Sequence, residues 1–101
     1  MAAVDLLIDL WDIRDMAGVR AAVGTELERA GFDVRGPRVT MEEYDGRLMR
    51  IDARTYDAIE TITGREWSEA VLSAVYAVDG STGGRVEVFN LDRPADVVAS
   101  R

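Results

Sequence analysis

Val4, Leu6, Ile8 and Leu10 alternate with Asp5, Leu7, Asp9 and Trp11. That period of two predicts a strand with one strongly apolar face. A helix competes for the same residues, because at helical spacing Asp5, Asp9 and Asp12 form one stripe and Val4, Leu7, Ile8 and Trp11 another. The strand is preferred because the β-α-β logic that follows requires it.

Met16, Val19, Val23, Leu27 and Ala30 recur at three- and four-residue spacing, which predicts an amphipathic helix over about residues 15–30. Asp15 suits its N-cap. Gly31 suits the left-handed residue beyond its end, where a Cβ would cost energy. Phe32-Asp33-Val34 reads as entry to a second strand, bent or placed at an edge because Pro37 cannot donate to a ladder. Val39 and Met41 continue it. Tyr44-Asp45-Gly46 signals a hairpin, and Arg47–Ala53 returns as a third strand.

Tyr56, Ile59 and Ile62 then fall in helical register. Thr63-Gly64-Arg65-Glu66 matches a capping box ahead of Trp67, Val71, Ala74, Val75 and Val78, so a break is expected near Gly64. Asp79–Gly84 is a turn cluster, Arg85–Leu91 a last strand, and Pro94 the start of a short tail.

The order β-α-β-β-α-β is that of a split βαβ, or ferredoxin-like, α+β fold: a four-stranded antiparallel sheet with helices on one face. The alternative, with a helical N-terminal segment, reads α-α-β-β-α-β. Residues 1–92 are expected to form one domain, with residues 93–101 as a C-terminal tail. Val4, Leu6, Ile8, Leu10, Val39, Met41, Met49, Ile51, Val86 and Val88 are the expected sheet contribution to the core.

Composition changes the picture mainly by what is missing. The 101 residues contain no histidine, cysteine or lysine, and all 12 basic residues are arginine. A thiol nucleophile, an imidazole base, an ordinary zinc site and a Schiff base are therefore excluded by residue type. General acid–base work would fall to Asp, Glu or Tyr with strongly shifted pKa values. The chain is expected to bind rather than catalyse, without a cofactor.

The formal charge is −7, from 19 acids and 12 arginines. Residues 1–28 hold six acids and two arginines, residues 29–54 five and six, and residues 55–101 eight and four. The middle hairpin is thus near neutral and rich in arginine, between two acidic flanks. An acidic surface repels phosphate backbones and anionic lipid, so direct nucleic-acid and membrane binding are not expected. No apolar run is long enough to span a bilayer, which needs about 20 residues. A cytoplasmic location is the default expectation.

Four constellations carry candidate chemistry. Asp5, Asp9, Asp12 and Asp15 would form a continuous acidic stripe on a helix; on a strand they divide between one face and the following loop. Glu42, Glu43 and Asp45 could be an acidic finger at the hairpin tip, or simply a charged turn. Gly80–Gly84 lacks the lysine and the strand-to-helix context of a phosphate loop, so it reads as a linker. The fourth is the sheet face turned away from the helices, expected to carry Leu7, Trp11, Leu48, Phe89 and Leu91 together with Asp5, Asp9, Arg38, Arg50 and Asp52. Large apolar groups mixed with arginine are the composition of protein interfaces.

Three functions compete. The first is a protein-interaction module, a regulatory or assembly subunit, with a second copy of the chain among the candidate partners. The second is an inhibitor whose acidic surface imitates nucleic acid, as phage anti-defence proteins do. The third is a small dimeric ligand-binding protein or enzyme with a pocket between sheet and helices, lined by residues such as Trp67 or Tyr56.

Overall fold

In the computed structural model the backbone is described for residues 4–37, 39–45, 48–55, 64–90 and 97–100, and side chains for residues 6–37, 39–45, 51 and 68–87. The chain is a small α+β protein, with two helices and an antiparallel sheet among the described residues. The elements run β1 (Val4–Trp11), α1 (Met16–Arg29), β2 (Val39–Tyr44), β3 (Leu48–Thr55), α2 (Gly64–Val78), β4 (Gly83–Asn90) and β5 (Val97–Ser100). The strands lie in the order β2-β3-β1-β4-β5.

Residues 4–11 are a strand, so the helical alternative for the N-terminal segment is wrong. The reason is the period of two. β1 pairs with β3 on one side and β4 on the other, so its alternate residues must face opposite sides of the sheet. Leu6, Ile8 and Leu10 are fully buried, while Leu7 and Asp9 are half-buried and Trp11 is exposed.

The buried set joins Leu6, Ile8, Leu10, Ile51 and Val86 from the sheet to Val19, Val23 and Leu27 of α1 and Val71, Leu72 and Val75 of α2. Val39 and Met41 pack partly against it. The expected core positions Val4, Met49 and Val88 have side chains outside the described residues.

Both ends of α1 form as the sequence implies. Asp15 caps it by accepting a hydrogen bond from the Gly18 N–H at 3.0 Å. At the other end Gly31 takes φ 96°. The Gly31 N–H then donates to the Glu28 carbonyl, and the Phe32 N–H to the Leu27 carbonyl, both at 3.0 Å. This pair of bonds is a Schellman termination, and the buried Phe32 and Leu27 supply its hydrophobic contact. Gly18 is where α1 meets α2: a Cβ there would lie 2.7 Å from a Val78 methyl carbon.

The structure departs from the sequence expectation at three places. Residues 32–34 are not a strand. The Asp33 carboxylate accepts from the Arg35 N–H at 3.2 Å and its carbonyl from the Gly36 N–H at 3.0 Å, so the chain turns and extends only from Val39. The sheet also has a fifth strand. β5 pairs antiparallel with β4, Val88 against Val97 through Arg85 against Ser100, inside the segment expected to be a tail. The Gly80–Gly84 stretch is more than a linker, since Gly83 and Gly84 open β4. Gly84 faces the core, where a Cβ would lie 2.6 Å from Leu10 Cδ2. The helical stretch around Tyr56, Ile59 and Ile62 and the Thr63 cap lie outside the described residues.

Ile8 has no exposed surface and sits on the central strand. Ile8→Ala should cost about 2–5 kcal/mol, a large share of a small domain's stability. Denaturant unfolding followed by circular dichroism measures this, and a loss below about 1 kcal/mol would contradict the packing.

Candidate functional site: the open sheet face and its rim

The face of β1 opposite the core carries Asp5, Leu7, Asp9 and Trp11. In an antiparallel ladder residues that stand opposite each other share a face, so the register extends this face across the sheet. Asp9 stands across from Arg50 on β3 and from Arg85 on β4. Arg50 stands across from Glu42 on β2. The result is a row of alternating charge over four strands: Glu42, Arg50, Asp9, Arg85.

The neighbouring row is Tyr44, Leu48, Trp11 and Gly83. The row on the other side of Asp9 is Thr40, Asp52, Leu7 and Glu87. Asp5 follows, flanked by Arg54 and Phe89.

This layout brings together Leu7, Asp9, Trp11, Leu48 and Arg50, and places Asp5 and Phe89 at its far end. The side chains of Asp5, Leu48, Arg50 and Phe89, and all of Arg38 and Leu91, lie outside the described residues. Seven members escaped the sequence pattern: Glu42, assigned only to the hairpin tip, and Thr40, Tyr44, Arg54, Gly83, Arg85 and Glu87. Charged residues alternating with apolar ones on a paired strand were the available signal, but their mutual placement needs the register. The face is consequently more charged than expected. Arg85 and Glu87 form an ion pair at 2.8 Å along β4.

Trp11 is 38% exposed and Tyr44 45%. The Trp11 indole lies across Gly83, where an added Cβ would fall 2.8 Å from Trp11 Cε2. Gly83 is thus the seat of the aromatic ring.

The acidic constellations resolve differently. Asp12 sits in the β1–α1 loop with φ 56°, Asp15 caps α1, and Asp9 lies on the open face, so there is no acidic stripe. At the hairpin tip Glu43 pairs with Arg20 of α1, and Glu42 accepts from the Tyr44 hydroxyl. Asp45 takes φ 53° in the turn. Two of the three acids of the supposed finger are therefore engaged within the chain. Among the described residues no cluster of three or more acidic side chains is arranged to hold a metal, and no helix is long and apolar enough to cross a membrane.

At the end of the sheet where β1 leaves and β4 enters, a buried carboxylate that the sequence did not single out joins two loops. Asp79, 7% exposed, follows the end of α2. Its Oδ2 accepts from the Arg14 N–H at 2.6 Å and the Asp15 N–H at 2.8 Å. Its Oδ1 accepts from the Ser81 N–H at 3.1 Å, and the Ser81 hydroxyl lies 2.6 Å away. That hydroxyl is also 3.0 Å from the Asp12 carbonyl oxygen. The Ser81 hydroxyl above all, and then the Asp15 N–H, hold the Asp79 carboxyl well below the usual carboxylate range; loss of solvent contact opposes them, and the Arg14 and Ser81 N–H groups add to the lowering. A cavity of about 320 Å³ opens beside this junction, lined by Asp12, Ile13, Arg14 and Ser81. It lies between loops. The candidate pocket residues Trp67 and Tyr56 have side chains outside the described residues.

Comparison with protein-family models, with curated proteins and with solved structures finds no match for this chain.

Two outcomes follow from this geometry. Gly83→Ala should lift the Trp11 indole off the sheet and raise its quenching by acrylamide, measured in a Trp67→Phe background; unchanged quenching would contradict the seat. Asp79 ionises more readily folded than unfolded, so its contribution is complete above about pH 5 and fades as the pH falls through the ordinary carboxylate range toward its lowered folded value. Asp79→Asn should therefore flatten the fall in melting temperature between about pH 5 and pH 2. Equal slopes for the variant and the parent would contradict the assignment.

Proposed function

We infer that this chain is a ferredoxin-like domain that acts as a protein-interaction module through the open face of its sheet, binding rather than catalysing. The strand order β2-β3-β1-β4, with β1 and β3 central, supports the split βαβ topology, with β5 an added edge strand. The exposed Trp11 on its glycine seat carries the functional reading. A tryptophan held in place on the strand that anchors the core, beside Leu7 and a row of alternating charges, is a preorganised hot spot of the type protein interfaces use.

The missing histidine, cysteine and lysine support binding over catalysis. The ion pair of Glu43 with Arg20 weakens the acidic-mimic alternative, because that acid is already neutralised within the chain. A cytoplasmic location accords with a cysteine-free chain.

Trp11→Asp should abolish association with the protein partner, while leaving the far-UV spectrum and unfolding midpoint of the isolated chain nearly unchanged. Glu28→Arg, on the exposed side of α1, is the control and should retain the partner. Pull-down from the host with both variants reads this. Loss of the partner in Glu28→Arg with retention in Trp11→Asp would move the interface to the helices.

A further inference from the structure

We propose that the partner of the open face is a second copy of this chain, stacked sheet to sheet about a two-fold axis that runs parallel to the strands between β1 and β3. This rests on the interaction reading above and adds the occupant and its geometry.

The charge pattern carries it. The charged part of the row, Glu42, Arg50, Asp9, Arg85, alternates in sign over four strands, and the uncharged Ser100 of β5 continues it beyond the overlap. A two-fold axis between β3 and β1 exchanges β2 with β4 and β3 with β1 of the facing copy. Glu42 then stands over Arg85, Arg50 over Asp9, and the reverse, so every position meets its opposite. An axis along the row would put each charge over its own copy, which like-charge repulsion forbids.

The adjoining rows obey the same operation. Trp11 stands over Leu48 and Tyr44 over Gly83, the position across which the Trp11 indole already lies, so the Tyr44 ring of one copy meets the Trp11 ring of the other. Arg54 falls over Asp5. Strands of the two sheets run in nearly the same direction, as aligned sheet packing requires.

Size agrees with a weak, reversible dimer. With strands about 4.8 Å apart and a rise of about 3.3 Å per residue, the four-strand face covers roughly 500 Å² on each copy. The total of roughly 1,000 Å² lies at the lower end for a specific interface.

The test uses the full chain and analytical ultracentrifugation. The wild type should show a concentration-dependent monomer–dimer equilibrium in the micromolar range. Asp9→Arg and Arg50→Glu should each be monomeric, because each homodimer would oppose like charges. An equimolar mixture of the two should regain the dimer. In the mixed pair the introduced arginine of one copy meets the introduced glutamate of the other, and the native Arg50 of the first meets the native Asp9 of the second.

Should either reversal unfold the chain, crosslinking decides. The protein has no native cysteine, so Thr40→Cys and Glu87→Cys each present one thiol. A bifunctional thiol reagent of about 10 Å span, matched to the spacing of stacked sheets, should link a Thr40→Cys copy to a Glu87→Cys copy and leave Thr40→Cys alone unlinked. A wild-type monomer at hundreds of micromolar overturns self-association but leaves a different protein partner, read by Trp11→Asp, intact. A dimer that survives both single reversals, or Thr40→Cys linking to itself, overturns the axis.

Discussion

β1 is the central constraint of this molecule. It is hydrogen-bonded along both edges, so neither of its faces can be relieved by a shift of register. Moving it by one residue would bring Asp9 into the place of Ile8 or Leu10, among the closed packing of Val19, Val71 and Val86. The same fixity that keeps Leu6, Ile8 and Leu10 inside holds Leu7, Asp9 and Trp11 outside. A core and a candidate binding face are thus written on alternate residues of one strand.

The helices and loops serve that strand. α1 and α2 cover its apolar face and close on each other at Gly18. Asp79 ties the loop that leaves β1 to the loop that enters β4, gathering N–H groups more than 60 residues away in sequence. The junction therefore fixes the end of β1 where Trp11 lies, and Gly83 on the neighbouring strand receives its ring. Local rigidity of this kind lowers the entropy lost when a partner is bound.

What the sequence made legible was mostly local. Asp15, the apolar spacing of α1 and Gly31 act within a few residues of one another, so cap, helix and termination could be read directly. The period of two in β1 and the Tyr44-Asp45-Gly46 turn were legible for the same reason. Asp33 was misjudged because its carboxylate competes with the strand for backbone N–H groups. β5 carries no alternation, only Val-Val-Ala-Ser after a proline, so nothing in its four residues distinguished a strand from a tail. Asp79 stood beside a glycine-rich turn that looked sufficient by itself, and its distant donors became visible only with the fold. Of the open face, the apolar members could be listed from alternation along single strands, whereas the alternating charge row is a product of register between four strands.

The central claim is that one face of the sheet is covered by protein in the working state while the outer side of the helices stays free. Hydroxyl-radical footprinting of Trp11 and Tyr44, with the exposed Tyr76 of α2 as internal reference, measures it directly across a concentration series. The account predicts that oxidation of Trp11 and Tyr44 falls together as concentration rises while Tyr76 is unchanged. Protection of Tyr76 with Trp11 and Tyr44 open at every concentration would contradict it.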